Sequence, residues 1–284
     1  MAARRYTLVD VFTSTRLQGN PLAVVHDADG LANPLMHAFA RETRLSETSF
    51  VQTADAPGAD YRNRIWAVTG ELPFAGHPSL GVAAAIARER GADAVTYHQQ
   101  TGAGIQPVEV EMAGGVAHCS MLQEPLETGP ELDPAEVMAA LGLDPGAAHP
   151  ELPCQPASTG LRHVLAPVRD DPGALRAMRP DRERVERLLA AHDAVCLYAV
   201  AIDPEHGRAR ARSFFPDGED PATGSAAGPL CAWLAGRAGV DAIEVAQGVE
   251  MGRASRIACR MEGDRVRVGG DVAVIIDGTI HLDA

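Results

Sequence analysis

The 284-residue chain contains no lysine; all 25 of its Lys-plus-Arg positions are arginine. Chemistry that needs a lysine amine is therefore closed to it. No imine can form with pyridoxal phosphate or with a carbonyl substrate, and no Walker-A loop can set its lysine on a nucleotide's phosphates. Net positive charge is also missing. With 38 acidic residues the formal net charge is −13, whereas a nucleic-acid surface needs clustered cations to neutralise phosphates. The densest basic stretch, Arg176–Arg187, is interleaved with Asp181, Glu183 and Glu186 and reads as a solvated helix face. The five cysteines have no CxxC spacing, no apolar leader follows Met1, and no apolar run is long enough for a membrane span. These absences lead to the expectation of a cytoplasmic protein with reduced thiols. The ten histidines include neither HExxH nor HxH, so no metal site is expected. Thr101-Gly102-Ala103-Gly104 lacks the continuation of a dinucleotide-binding GxGxxG loop and reads as a turn.

What is present is a repeat. The length suits one large domain or two of ordinary size, and the chain matches itself without gaps at an offset of 148 residues, about half its length. Segment 62–93 aligns with 210–241, pairing Arg64 with Arg212, Gly70 with Gly218, Glu71 with Glu219, Gly76 with Gly224 and Gly91 with Gly239. Each copy reads as strand, glycine-rich turn, apolar helix and glycine stop. Upstream, a helix carrying Leu35, Met36 and Phe39 precedes a strand at Thr48–Gln52; its counterpart is a helix around Arg184–Ala191 followed by a strand at Ala194–Ala201. Downstream, Val108–Met112 and Val116–Met121 form one predicted hairpin, and Ile257–Met261 with Arg265–Val268 another. The helices Pro78–Ala87 and Ala226–Ala235 are apolar nearly all round, so each must be buried on every face. At about ten residues they are too short for a membrane, and a sheet curled round each is the simplest container. The expected fold is α+β, with two pseudo-symmetric domains, each a barrel-like, mostly antiparallel sheet wrapped round a central apolar helix, and an active site in the cleft between them. The expected boundaries are 1–122 for the first domain, 123–149 for a linker with a short helix, and 150–271 for the second. A strand near 272–284 is expected to pack with the first domain.

The two helix starts draw attention next. Pro78 sits in the first turn of one helix, where its missing N–H costs nothing, and Thr223 or Ser225 is available to cap the other. Unsatisfied N–H groups and the helix dipole make such an end an anion site. Gly76, Gly224, Thr223 and Ser225 are therefore candidate substrate-binding residues for a small carboxylate. His77 lies at the positive end of its helix dipole, which favours the neutral ring. Asp220 precedes Pro221 and is either a turn cap or a catalytic carboxylate. Glu47, at the head of an apolar strand, is either exposed at the rim or kept for chemistry.

Five ordered blocks carry a likeness to a known family. They are Val9-Asp10-Val11-Phe12 with Gly19-Asn20-Pro21-Leu22-Ala23-Val24-Val25, Leu45-Ser46-Glu47-Thr48, Glu71-Leu72-Pro73-Phe74-Ala75-Gly76-His77-Pro78, Glu219-Asp220-Pro221-Ala222-Thr223-Gly224-Ser225-Ala226, and Gln247-Gly248 with Met251-Gly252-Arg253. The chain resembles the phenazine-biosynthesis F (PhzF) family, of the diaminopimelate-epimerase-like fold. The resemblance implies two pseudo-symmetric domains, a homodimer, and a cofactor-free isomerase of a small carboxylic or amino acid. It assigns proton transfer to Glu47, catalytic support to His77 and Asp220, and substrate binding to Gly76 and Ser225. Two departures stand out. Trp66-Ala67-Val68 replaces a common Phe-Thr-Pro, and Arg44 replaces a common asparagine, so both positions are candidates to face the substrate. Epimerase relatives place a cysteine at each helix start. Here those turns hold Ala75-Gly76 and Ala222-Thr223, leaving one carboxylate suited to moving a proton, and with it a double bond, along one face of a substrate. The expected reaction is the shift of a proton and double bond in a small unsaturated acid, in secondary-metabolite biosynthesis. An amino- or hydroxy-acid epimerase or racemase, and a non-catalytic carboxylate-binding protein, are the alternatives.

Overall fold

The two apolar segments become 15-residue helices, and strands enclose each. A computed structural model describes residues 3–169 and 172–282, which form two compact units: residues up to 121 together with those from 269 onward, and residues 122–268.

The first unit contains β1 (Ala3–Val11), β2 (Asn20–Val25), α1 (Asn33–Thr43), β3 (Thr48–Gln52), β4 (Tyr61–Ala67), β5 (Gly70–Leu72), α2 (Gly76–Arg90), β6 (Ala94–Thr101), β7 (Gly104–Ala113) and β8 (Val116–Leu122). β1 pairs antiparallel with β2, which runs parallel to β3 through the α1 crossover; β3 is antiparallel to β4, and β4 parallel to β6. The β6–β7 and β7–β8 hairpins follow. The final strand of the chain pairs with both β8 and β1, so eight strands close on themselves. Inside lies α2, with every residue from His77 to Ala87 buried. Gly81 lets it approach the wall: a Cβ there would stand 2.6 Å from Leu22 Cδ2 and 3.1 Å from Val9 and Val11 methyls. Full burial of side chains such as Leu80, Val82 and Ile86 contributes about 1.5–3 kcal/mol each. Outside the wall, α1 buries Met36 and Ala40 against Phe50 and Trp66.

The second unit repeats the plan. It has β9 (Glu127–Thr128), α3 (Pro134–Ala140), β10 (Gln155–Ser158), β11 (Arg162–Val168), α4 (Pro172–Ala177), α5 (Arg182–Ala191), β12 (Cys196–Asp203), β13 (Arg208–Phe215), β14 (Gly218–Asp220), α6 (Gly224–Ala238), β15 (Ala242–Gln247), β16 (Ser255–Glu262) and the first residues of β17 (Arg265–His281), whose remainder is the final strand of the first unit. As before, one crossover joins parallel strands β11 and β12, and β13 runs parallel to β15. β5 and β14, and likewise α2 and α6, begin and end at equivalent residues 148 apart. Gly70 and Gly218 share φ near 152–155°, and Gly91 and Gly239 share a left-handed C-cap. The repeat also carries an ion pair. Arg64 grips Glu71 with Nε–Oε1 at 2.7 Å, and Arg212 grips Glu219 with Nε–Oε1 at 2.8 Å.

Three sequence expectations change. The stretch 123–149 is no free linker: it includes β9 and α3, and Val137, Met138 and Leu141 join the buried cluster of the second unit with Leu188, Leu189 and Phe214. The predicted strands Arg265–Val268 and near 272–284 are one strand, β17. Gly269 does not interrupt it but permits close passage, since a Cβ would stand 2.6 Å from the Cys119 carbonyl. The helices begin at the expected turns, Gly76 and Gly224, but run past their apolar stretches at the other end, where Arg90 and Arg237 are helical too.

The two ion pairs differ in depth. Side-chain exposure is 10% and 17% for Arg212 and Glu219, against 13% and 34% for Arg64 and Glu71. Arg212 also donates to the Leu175 carbonyl at 2.7 Å and stacks over Phe214. Removing one partner of a buried pair strands the other charge, at a cost of about 3–5 kcal/mol. Glu219→Gln is therefore expected to destabilise the protein by about 3 kcal/mol, and Glu71→Gln by less than half of that, in urea denaturation followed by circular dichroism.

Candidate active site

In the first unit, α1 ends at Arg44 in the left-handed region (φ 53°), and the chain turns through Leu45 and Ser46 into β3. That turn aims Glu47 at the start of α2. Glu47 Oε2 lies 3.5 Å from His77 Nε2, with the two side chains 18% and 8% exposed. Glu47 is thus partly buried, turned toward a histidine 30 positions along the chain. The His77 ring also donates to the Pro21 backbone carbonyl, and burial pushes its pKa down to about 3. A neutral ring that donates through one nitrogen keeps a lone pair on the other. The contact with Glu47 is accordingly a hydrogen bond only while Glu47 carries a proton.

The backbone of the same turn is poised for an anion. No side chain caps α2, Pro78 has no N–H, and the Ser79 N–H bonds to the Ala75 carbonyl. Gly76 and His77 therefore present N–H groups that have no partner within the helix.

The second unit builds the equivalent turn on a buried amide. Gln247 accepts from Tyr198 Oη at 3.1 Å and from the Thr223 N–H at 3.2 Å, and donates to the Asp220 carbonyl at 2.7 Å. Thr223 occupies the N-cap of α6, but its side chain makes no cap. Its hydroxyl donates instead to Asp220 Oδ2 at 2.5 Å. Neither Thr223 nor Ser225 is the side-chain cap anticipated from sequence, because the Asp220 carboxylate takes the threonine hydroxyl. The Ala226 and Ala227 N–H groups both turn to the Thr223 carbonyl. Gly224 and Ser225 are left to present theirs, matching Gly76 and His77 under the repeat.

The candidates thus fall into two clusters: Glu47, Gly76 and His77 in the first unit, and Asp220, Thr223, Gly224 and Ser225 in the second. Gln247 was not among them, although it anchors the second turn. Its signal was available, since Gln99 stands at the equivalent position just beyond the aligned segment. Trp66 is buried beneath α1 and tilts against His37, and Arg44 is an exposed C-cap. Its left-handed backbone is one that asparagine adopts readily, which accounts for that residue's use at such a position. All five cysteines are buried, and none lies in either turn. Among the described residues, no three His, Cys, Asp or Glu side chains converge as a metal-ligand set, and no helix is long and apolar enough to cross a membrane.

The chain is similar to known proteins over nearly its whole length. The family model described as phenazine biosynthesis-like protein matches residues 9–278. The trans-2,3-dihydro-3-hydroxyanthranilate isomerase of Pseudomonas aeruginosa is 39% identical, covering 98% of this chain and 99% of its own. A solved predicted epimerase from the same organism superposes with a TM-score of 0.86 at 32% identity, covering 99% of this chain and 100% of that one. A hydroxyproline epimerase from Agrobacterium vitis shares the fold, with a TM-score of 0.68 at 14% identity, covering 99% of this chain and 91% of that one.

Burial sets a pH dependence. His77 in the first unit and His163, fully buried in the second, both have pKa values pushed from 6.5 to about 3 by desolvation. Between those limits the unfolded chain binds a proton at each ring and the folded chain does not. This stability is complete above about pH 6.5 and is lost as pH falls toward 3, at roughly 1.4 kcal/mol per pH unit per ring. Neither ring is expected to titrate between pH 5 and 8 by NMR. His77→Asn should remove about one proton's share of the slope of stability against pH, measured by urea denaturation.

Proposed function

The chain belongs to the phenazine biosynthesis-like (PhzC-PhzF) family and is an isomerase, and from that premise we propose that it shifts a proton and a double bond within a small unsaturated carboxylic or amino acid, without a cofactor. The observation that carries this reading is the 3.5 Å approach of Glu47 to the neutral ring of His77 at the start of α2.

Glu47 as carboxylate takes an acidic C–H proton. His77 Nε2 then accepts a hydrogen bond from the acid so formed, which favours the state that follows abstraction over the state before it. The proton held on Glu47 returns to another carbon of the same π system on the same face. The substrate's own unsaturation spreads the negative charge, so no electron sink is required. Backbone N–H groups of Gly76 and His77, and those of Gly224 and Ser225, suit a carboxylate or a developing oxyanion. Asp220, already bonded to Thr223, suits an amine or hydroxyl of the substrate. One carboxylate base and no cysteine in either turn support transfer along a single face over a two-thiol inversion.

The substrate we propose to test is trans-2,3-dihydro-3-hydroxyanthranilate, the compound named for the Pseudomonas relative. The protein is further proposed to act as a cytoplasmic homodimer, a reading supported by the family resemblance, and sedimentation should then give twice the 29.9 kDa chain mass.

Removing a positioned general acid–base costs roughly 10²–10⁴-fold. Glu47→Gln is expected to keep the fold and substrate binding while lowering kcat by about that factor, and to stop solvent deuterium from entering the product. Full turnover in that variant would remove Glu47 from the reaction. Deuterium exchange with inversion and no movement of the double bond would replace this reading with an epimerase.

A further inference from the structure

Pro229 lies inside α6, as its sixth residue. A helical residue there would donate its N–H to the carbonyl four positions back, which is that of Ser225. Proline has no N–H, and its ring presses that carbonyl away from the helix axis. The first unit does not share this gap, since Gly81 occupies the equivalent position and has an N–H for the His77 carbonyl.

The vacant role has a candidate. His163, fully buried on β11, faces the Ser225 backbone with its ring. Nε2 is buried and makes no hydrogen bond of normal geometry, so an unbonded ring nitrogen and an acceptor without a helical donor lie near one another, while Nδ1 lies 3.1 Å from Cys196 Sγ. Ser213 Oγ donates to that sulfur at 3.3 Å. Burial pushes the Cys196 thiol up to about 12, so it stays protonated. A sulfur that accepts from this hydroxyl can donate its S–H to Nδ1, and in that arrangement the neutral ring carries its proton on Nε2, toward Ser225. The preceding carbonyl is held from outside the helix as well. Gln123 Nε2 donates to the Gly224 carbonyl at 3.0 Å, and Gly228 leaves room for it, because a Cβ there would overlap Gln123 Oε1.

These two contacts bracket Ser225. The peptide plane before its Cα contains the Gly224 carbonyl and the Ser225 N–H; the plane after it contains the Ser225 carbonyl. Holding both planes sets φ and ψ at Ser225, and with them the direction of its N–H and its hydroxyl. We propose that His163 is a positioning residue for this turn, holding the Ser225 carbonyl that Pro229 leaves without a helical partner. The inference rests on the reading that Gly224 and Ser225 bind the substrate.

The test uses steady-state kinetics with trans-2,3-dihydro-3-hydroxyanthranilate. His163→Phe keeps the ring's bulk and removes the donor. It should raise KM about tenfold with a smaller change in kcat, the scale of one lost hydrogen bond. Pro229→Ala supplies the missing helical N–H and alone should alter KM less than twofold. In the double variant KM should return to within about twofold of the Pro229→Ala value. A folded His163→Phe enzyme with unchanged KM, or a double variant as impaired as His163→Phe, would overturn the proposal. If His163→Phe does not fold, ¹⁵N NMR of the unsubstituted protein decides: the proton must reside on Nε2 from pH 5 to 8, and residence on Nδ1 refutes the assignment. Ser225→Ala separates the two levels. A raised KM there with none in His163→Phe sinks only this inference, whereas no change in either removes the binding role of the turn itself.

Discussion

A helix with no polar face has to be surrounded, and most of the architecture follows from meeting that need twice. Strands are the economical wall for a helix of 15 residues, since eight of them close round a cylinder of side chains. Closure requires two parallel joints in each unit, and one of these is the crossover that carries a helix to the outside. The inner helix therefore brings about both the closed sheet and the outer helical layer, and glycine at the closest approach, as at Gly81, lets backbone and wall meet.

Enclosing the helix also creates the chemistry. A helix start at the surface would find water for its free N–H groups, but one set in a barrel must end at a turn whose polar groups are counted. In both units the count leaves the same two amides, at Gly76 and His77 and at Gly224 and Ser225. The units then diverge in what they place beside them. The first supplies a titratable pair, Glu47 and His77, whose neutral ring is a product of its burial. The second supplies a web of fixed dipoles, Gln247, Thr223 and Asp220, with the Asp220 carboxylate restrained by the Thr223 hydroxyl. One half sets a carboxylate against a neutral ring, and the other fixes its turn with hydrogen bonds.

Much of this was legible in sequence because it is written in local chemistry. Glycines marked the turns and helix ends, alternation marked the hairpins, and the 148-residue offset tied the copies together. The ion pair Arg64–Glu71, repeated as Arg212–Glu219, shows that the offset aligned equivalent structure rather than shared composition. What stayed hidden depends on neighbours distant in the chain. The strands at 265–268 and near 272–284 read as separate, and only the nearness of Gly269 to Cys119 shows a glycine that serves close packing within one continuous strand. The segment 123–149 reads as a linker because it lies between the two copies of the repeat, yet Val137, Met138 and Leu141 join the buried cluster of α5. Glu47 could be read either way until His77 was placed beside it.

The proline in α6 belongs between these cases. A proline in a helix interior removes a donor from a known carbonyl, so the position of Pro229 in the chain is enough to mark an unmet acceptor at Ser225. It cannot say what meets it. The answer comes from β11 and β12, where the pairing of His163 with Cys196 sets an imidazole and a thiol side by side under the helix. A broken helical bond beside a proposed binding turn is costly unless something outside the helix repairs it, and a repair made by a neutral buried ring has a fixed direction and does not vary with pH near neutrality. The irregularity at Pro229 thus gives the second unit a way to set one backbone angle from its wall, which a regular helix would have set from within.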